Sequence, residues 1–160
     1  MAEQNESRDP GRRTPRILLL NGPNLGTLGR RQPEIYGTTT LAQIVERVRA
    51  HAESRGATLD DFQSNHEGAL IDRIERPDYD AVVINPGALA HTSYALHDAL
   101  LGSGRPVVEV HLSDITAREP WRRVSVIAPA TRHQVIGRGP QGYLDAIDLL
   151  LDDPEVVAYR

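Results

Sequence analysis

Short apolar runs, RILLLN (16–21), DAVVIN (80–85) and RPVVEVH (105–111), alternate along the chain with segments whose apolar residues recur at the period of a helix. No other feature narrows the fold as much. After the glycine-rich stretch behind the first run, Thr40 and Gln43 offer a capping box. Leu41, Ile44, Val45, Val48 and Ala52 then make an apolar stripe that stops at Gly56. ATLDDFQSN (57–65) reads as a weaker strand, and Ser64 with Glu67 caps a helix that carries Leu70, Ile71 and Ile74 and ends before Pro77. SYALHDALLG (93–102) is the next helix, QVIG (134–137) a short further strand, and a last helix runs from Gly142 to about Leu151. Strands and helices in this alternation build parallel βαβ units. The expected fold is α/β, a three-layer doubly wound parallel sheet of about five strands in flavodoxin-like order.

With 160 residues and 39% hydrophobic content, the chain has the length for one well-buried domain rather than two. MAEQNESRDPGRRTP (1–15) lacks the apolar stretch of a signal peptide and reads as a disordered tail, leaving 16–160 as a single domain. A net charge of -4 argues against nucleic acid or an anionic membrane as partner and favours a small soluble molecule. No segment approaches a membrane span. The absence of cysteine removes disulfides and thiolate metal sites, which suits a cytoplasmic protein.

In a doubly wound sheet the ligand sits beyond the carboxyl ends of the strands, at the topological switch point. Those ends are polar here. They read NGPNLGTLGRRQPEIYG (21–37), QSNHEG (63–68), NPGALAHTS (85–93) and EVHLSD (109–114). The glycines at 22, 26 and 29 do not fit a dinucleotide G-x-G-x-x-G spacing, and no Gly-Lys-Ser/Thr loop follows the first strand. Among His66, His91, His97 and His111 no pair has the i, i+4 spacing of a zinc helix, so hydrogen-bonding roles are favoured over metal ligation, with His97 as a solvated helix residue. GRRQPEIYG (29–37) reads as too rich in Gly and Pro for a helix, yet it sets Arg30 and Arg31 close to Tyr36. A phenol becomes a usable base near neutral pH only if a nearby cation favours the phenolate.

These strand-end motifs, together with VINPGALAHTSYALHDAL (83–100), VEVHLSDITAREPWR (108–122) and QGY (141–143), resemble the type II 3-dehydroquinate dehydratases from about Arg16 to Leu151. The resemblance implies a lyase that removes water from 3-dehydroquinate to give 3-dehydroshikimate, in the shikimate pathway or in quinate breakdown, with no metal and no organic cofactor. It also implies trimers assembled into a homododecamer. By the same resemblance Tyr36 is the base, Arg31 its electrostatic partner, His111 the general acid oriented by Glu109, and Asn24 holds the water that hydrogen-bonds the enolate oxygen. The backbone amides of Leu112 and Ser113 would hold the substrate carboxylate, and Asn85, His91 and Arg122 the ring hydroxyls. Asp98 would reach the site of a neighbouring subunit. Tyr94, Asp98 and Leu101 share one helix face, apart from the core stripe of Leu96, Ala99 and Leu100, as an interface would require.

Several residues depart from the family pattern. Gln32 stands where many members have glutamate, and Val124 and Arg138 also differ. Asp114 puts a negative charge beside the anion site, which weakens carboxylate binding unless Arg118 or Arg122 offsets it. Two rival readings are a lyase or isomerase for another cyclic hydroxy acid and a binding protein without turnover. A binding protein would need neither a base nor an acid.

Overall fold

The run from Arg16 to Asn21 is strand β1, and every residue after Arg16 is buried. A computed structural model describes residues 13–157, and of Tyr36 the backbone only. After β1 come a helical turn α1 (Pro33–Tyr36), helix α2 (Leu41–Ser54), strand β2 (Thr58–Gln63), helix α3 (Glu67–Ile74) and strand β3 (Ala81–Asn85). Helix α4 (Tyr94–Gly102), strands β4 (Val107–His111) and β5 (His133–Ile136), helix α5 (Gln141–Leu151) and a short α6 (Pro154–Val157) complete the order. The sheet is parallel throughout in the order β2-β1-β3-β4-β5, the flavodoxin-like arrangement expected.

Both faces of the central strands are covered, which is why they read as unbroken apolar runs and not as alternation. Ile17, Leu19, Val83 and Val108 pack with Val48 of α2 and Ile147 of α5 on one face. Leu18, Leu20, Val82 and Ile84 pack with Leu70 of α3 and with Leu96 and Leu100 of α4 on the other. Burying each such side chain contributes about 1.5–3 kcal/mol. β2 lies at the sheet edge and is half exposed, so its sequence carries the weaker pattern.

Thr40 and Gln43 form the expected capping box at the start of α2. Three local readings are corrected. The stretch 29–37 does contain a helical turn, because Pro33 sits at its first position, where a missing N–H does no harm, and Gly37 at φ 76° ends it. Ser64 does not cap α3: the cap position is His66, and the Ser64 hydroxyl accepts instead from the His66 N–H two residues on, at 3.0 Å. His97 is not a solvated residue either, since its Nδ1 bonds the Val126 carbonyl at 2.7 Å and ties α4 to the loop before β5.

Most of the expected tail, residues 1–12, lies outside the described residues. Its last residues are fastened to the sheet. Arg13 pairs with buried Asp80 at 2.5 Å, and the Pro15 carbonyl accepts from the Thr58 N–H.

Candidate active site

β1 and β3 lie side by side, and the chain leaves them for opposite faces of the sheet, so a crevice opens past their carboxyl ends. Its floor depends on close backbone approach. The Gly22 N–H donates to the Asn85 carbonyl at 2.8 Å, and a Cβ on Gly22 would collide with the carbonyl oxygen of Pro86. Beyond Gly22 the loop turns through Asn24 at φ 68°, a left-handed conformation that asparagine tolerates. The Asn24 N–H donates to Asn65 Oδ1, and the Gln63 amide holds both the Gly22 carbonyl and Asn65. Gln32, between Arg31 and the α1 turn, also has positive φ, at 39°. Backbone strain of this kind concentrates at functional sites.

The pocket in this crevice is lined by Asn24 and Arg31 from the first loop and by Asn85 and His91 after β3. His111, Leu112, Ser113 and Arg122 close it from the β4 side, together with Arg118. Eight of the expected site residues thus meet at one place. Of the other three, Glu109 and Asp98 do not line it. Glu109 lies behind His111; Asp98 lines a separate groove between α3 and α4; and the side chain of Tyr36 lies outside the described part of the structure. Arg30, the neighbouring cation, is not on the pocket wall.

Glu109 and His111 alternate on β4, so their side chains share one face. Both are buried, and Glu109 Oε1 is 2.6 Å from His111 Nε2. The same carboxylate accepts from the Ser125 hydroxyl at 2.7 Å and from the Gln134 amide at 3.0 Å. A buried carboxylate is tolerated only when so satisfied. Ser125 and Gln134 carry no signal of this role in the sequence, because one arrives from a loop and the other from the neighbouring strand, where it pairs in register with Glu109.

His91 is held between His111, at 6.4 Å between ring centroids, and the edge of Trp121 at 5.3 Å. Its Nδ1 lies 2.8 Å from the Val124 carbonyl, so this nitrogen carries a proton and the neutral ring keeps Nε2 as an acceptor. The Arg122 guanidinium stacks over Trp121 at 4.0 Å while its Nε donates to Glu119 at 2.7 Å. Trp121 escaped the sequence reading as a site residue, although it stands inside a quoted motif.

Asp114 does not face the pocket wall formed by Ser113 and Ile115. It caps the turn Ile115–Ala117, and the Thr116 hydroxyl and N–H that donate to it hold its carboxyl below the ordinary range. Arg118 lines the pocket and its Nη1 is 3.4 Å from the Ser113 hydroxyl, so a cation stands beside the expected anion site.

The family model of class II dehydroquinases matches residues 15–151. The chain belongs to the class II dehydroquinase family. The catabolic 3-dehydroquinase 1 of Neosartorya fischeri is 55% identical over 134 residues, 82% of this chain and 89% of that protein. The 3-dehydroquinate dehydratase of Anoxybacillus flavithermus is 53% identical over 139 residues, 86% of this chain and 94% of its own. Among solved structures, the type II dehydroquinase of Butyrivibrio crossotus superposes with a TM-score of 0.84 at 41% identity, covering 86% of this chain and 97% of that one. The type II dehydroquinase of Propionibacterium acnes gives a TM-score of 0.85 at 39% identity, with coverage of 89% and 99%. Membership in the class II dehydroquinases therefore spans the whole sheet and every strand-end loop of the pocket. No described helix is long and apolar enough to cross a membrane.

Proposed function

We propose that this dehydroquinase is a type II 3-dehydroquinate dehydratase that eliminates water from 3-dehydroquinate through an enolate, with Tyr36 as base and His111 as acid. The observation that carries the reading is the buried Glu109–His111 pair at 2.6 Å opening onto the same pocket as Arg31 and Asn24. Eliminating water from a β-hydroxy ketone needs a base for the proton beside the carbonyl, a donor for the enolate oxygen and an acid for the departing hydroxide. Tyr36, as phenolate beside Arg31, takes the α-proton, and the C–H electrons move into the enolate. A water held by Asn24 donates to the enolate oxygen. As the enolate collapses to the conjugated enone, the C–O bond breaks and His111 delivers a proton to the leaving oxygen, so water departs. Solvent then returns the proton that His111 lost and removes the one that Tyr36 gained.

The substrate carboxylate sits on the backbone amides of Leu112 and Ser113, with Arg118 nearby. Asn85, His91 and Arg122 bind the ring hydroxyls, His91 through Nε2, the ring nitrogen that its bond to Val124 does not use. Asp98 acts in trans, in the pocket of a neighbouring subunit of a trimer, and four trimers assemble into a dodecamer. The exposed apolar residues flanking it, Tyr94 at 69% and Leu101 at 61%, favour a covered face.

The product is a conjugated enone, so ultraviolet absorbance on mixing with 3-dehydroquinate tests the reading. Steady growth of the enone band is expected. Binding of 3-dehydroquinate without absorbance change would mean a binding protein, and turnover of another cyclic hydroxy acid alone would mean a different lyase. The same reaction serves aromatic biosynthesis and quinate breakdown, and growth of a deletion strain without aromatic amino acids separates the two.

A further inference from the structure

Tyr143 is fully buried on α5, and its hydroxyl meets the carboxyl ends of β1 and β3 at the floor of the pocket. It lies 2.6 Å from Asn21 Oδ1 and 2.9 Å from Asn85 Nδ2. One backbone group decides the direction of every bond in this chain. The Gly87 N–H can only donate, and it is 3.2 Å from Asn85 Oδ1. Asn85 therefore turns its NH2 to Tyr143, the phenol oxygen accepts, and the phenol's single proton goes to Asn21. Burial pushes the Tyr143 phenol up, so that proton stays in place across the working pH range. Asn85 retains a second N–H, and Asn85 is on the pocket wall while Tyr143 is not.

We propose that Tyr143 is a positioning residue that locks the Asn85 amide, so that Asn85 offers the pocket an N–H and never its carbonyl oxygen. The partner it selects is an oxygen lone pair on the substrate ring. The role rests on the reading that Asn85 binds substrate. A hydroxyl serving only core packing would affect stability and leave substrate binding alone.

Tyr143→Phe keeps the ring and removes the hydroxyl. Steady-state kinetics should show KM raised about five- to tenfold with kcat within about twofold, the signature of lost ground-state and transition-state binding together. In an Asn85→Ala background, where no amide remains to be held, the same substitution should change KM by less than about 1.5-fold. An unchanged KM in Tyr143→Phe, or an equal rise in both backgrounds, overturns the proposal. If Asn85→Ala alone leaves KM unchanged, the substrate-binding reading of Asn85 fails and the positioning role with it. If Asn85→Ala raises KM and Tyr143→Phe does not, only the role of Tyr143 is lost. Should Tyr143→Phe not fold, Asn21→Leu carries the test. It strips the phenol proton of its acceptor, so the hydroxyl is free to rotate and its lone pair is no longer held on the Asn85 NH2; KM should rise at least about threefold with kcat kept, and an unchanged KM overturns the proposal.

Discussion

The β4 side of the pocket and the loop after β1 are built in opposite ways. Glu109 and His111 sit on a central strand, buried, with the Glu109 carboxylate accepting from three side chains. Arg31 and the α1 turn that ends at Tyr36 lie on an exposed loop with one short α-helical turn and two non-glycine residues at positive φ. The proposed acid half is thus assembled by the fold itself, and its geometry is set before any substrate arrives. The proposed base half gets little from the core, so it is the half that a substrate or a neighbouring subunit would complete. Preorganisation and adaptability are divided between the two chemical roles.

The difference can be broken in several places. The largest effect belongs to the acid half: His111→Ala should lower turnover by about four orders of magnitude, because hydroxide is a poor leaving group without a proton donor. Tyr36→Phe should lower it by about two to four orders while substrate still binds, which equilibrium binding beside kinetics would show. The halves should part company in stability. Glu109→Ala leaves His111, Ser125 and Gln134 without their acceptor and should destabilise the fold by about 3–5 kcal/mol in denaturant unfolding. Arg31→Ala, on an exposed loop, should change stability by less than about 0.5 kcal/mol. An equal loss in both would erase the contrast.

Completion by a neighbour has its own test. Tyr36→Phe and Asp98→Ala, each inactive alone, should recover about a quarter of the sites when co-expressed, since under random cyclic assembly that share combines an intact Tyr36 with an intact Asp98. No recovery, or a fully active monomer, contradicts the shared site. Arg31→Ala should move the Tyr36-dependent limb of the activity profile, on which phenolate is lost as pH falls, to higher pH, and Arg30→Ala, off the pocket wall, should not. The smallest effect concerns Glu119, whose carboxyl is held below the ordinary glutamate range first by its own backbone N–H and then by Arg122. A depressed value means that the link to Arg122 is complete above the ordinary glutamate pKa and is lost only as pH falls through the lower folded value. The contribution of Glu119 to KM should therefore stay constant from neutral pH down to about pH 5.5, so Glu119→Gln should raise KM by the same factor, only about twofold, across that range.

Much of this was legible in the chain, and what was not has a common cause. The buried runs Ile17–Leu20 and Ala81–Ile84 announce central parallel strands because both faces are covered, and the Thr40 capping box is a purely local device. The pocket followed from the strand ends, since a doubly wound sheet gathers them on one rim. What the sequence hid depends on contacts between distant segments. Gln134 reaches Glu109 only through the β4–β5 register, Asn65 holds Asn24 across the β1–β2 edge, and Tyr143 meets Asn21 from 122 positions away. The α1 turn was missed for the opposite reason: its Pro33 and Gly37 read as helix breakers, though at the first position and just past the end they delimit a turn.

Solvent exchange at the substrate's α-carbon tests the central division most directly. With 3-dehydroquinate in deuterium oxide, mass spectrometry of recovered substrate follows proton abstraction separately from loss of water. His111→Ala should incorporate deuterium without forming enone, because the proposed base Tyr36 still works, and Tyr36→Phe should do neither. Exchange surviving in Tyr36→Phe and vanishing in His111→Ala would show that the two halves have been assigned the wrong way round.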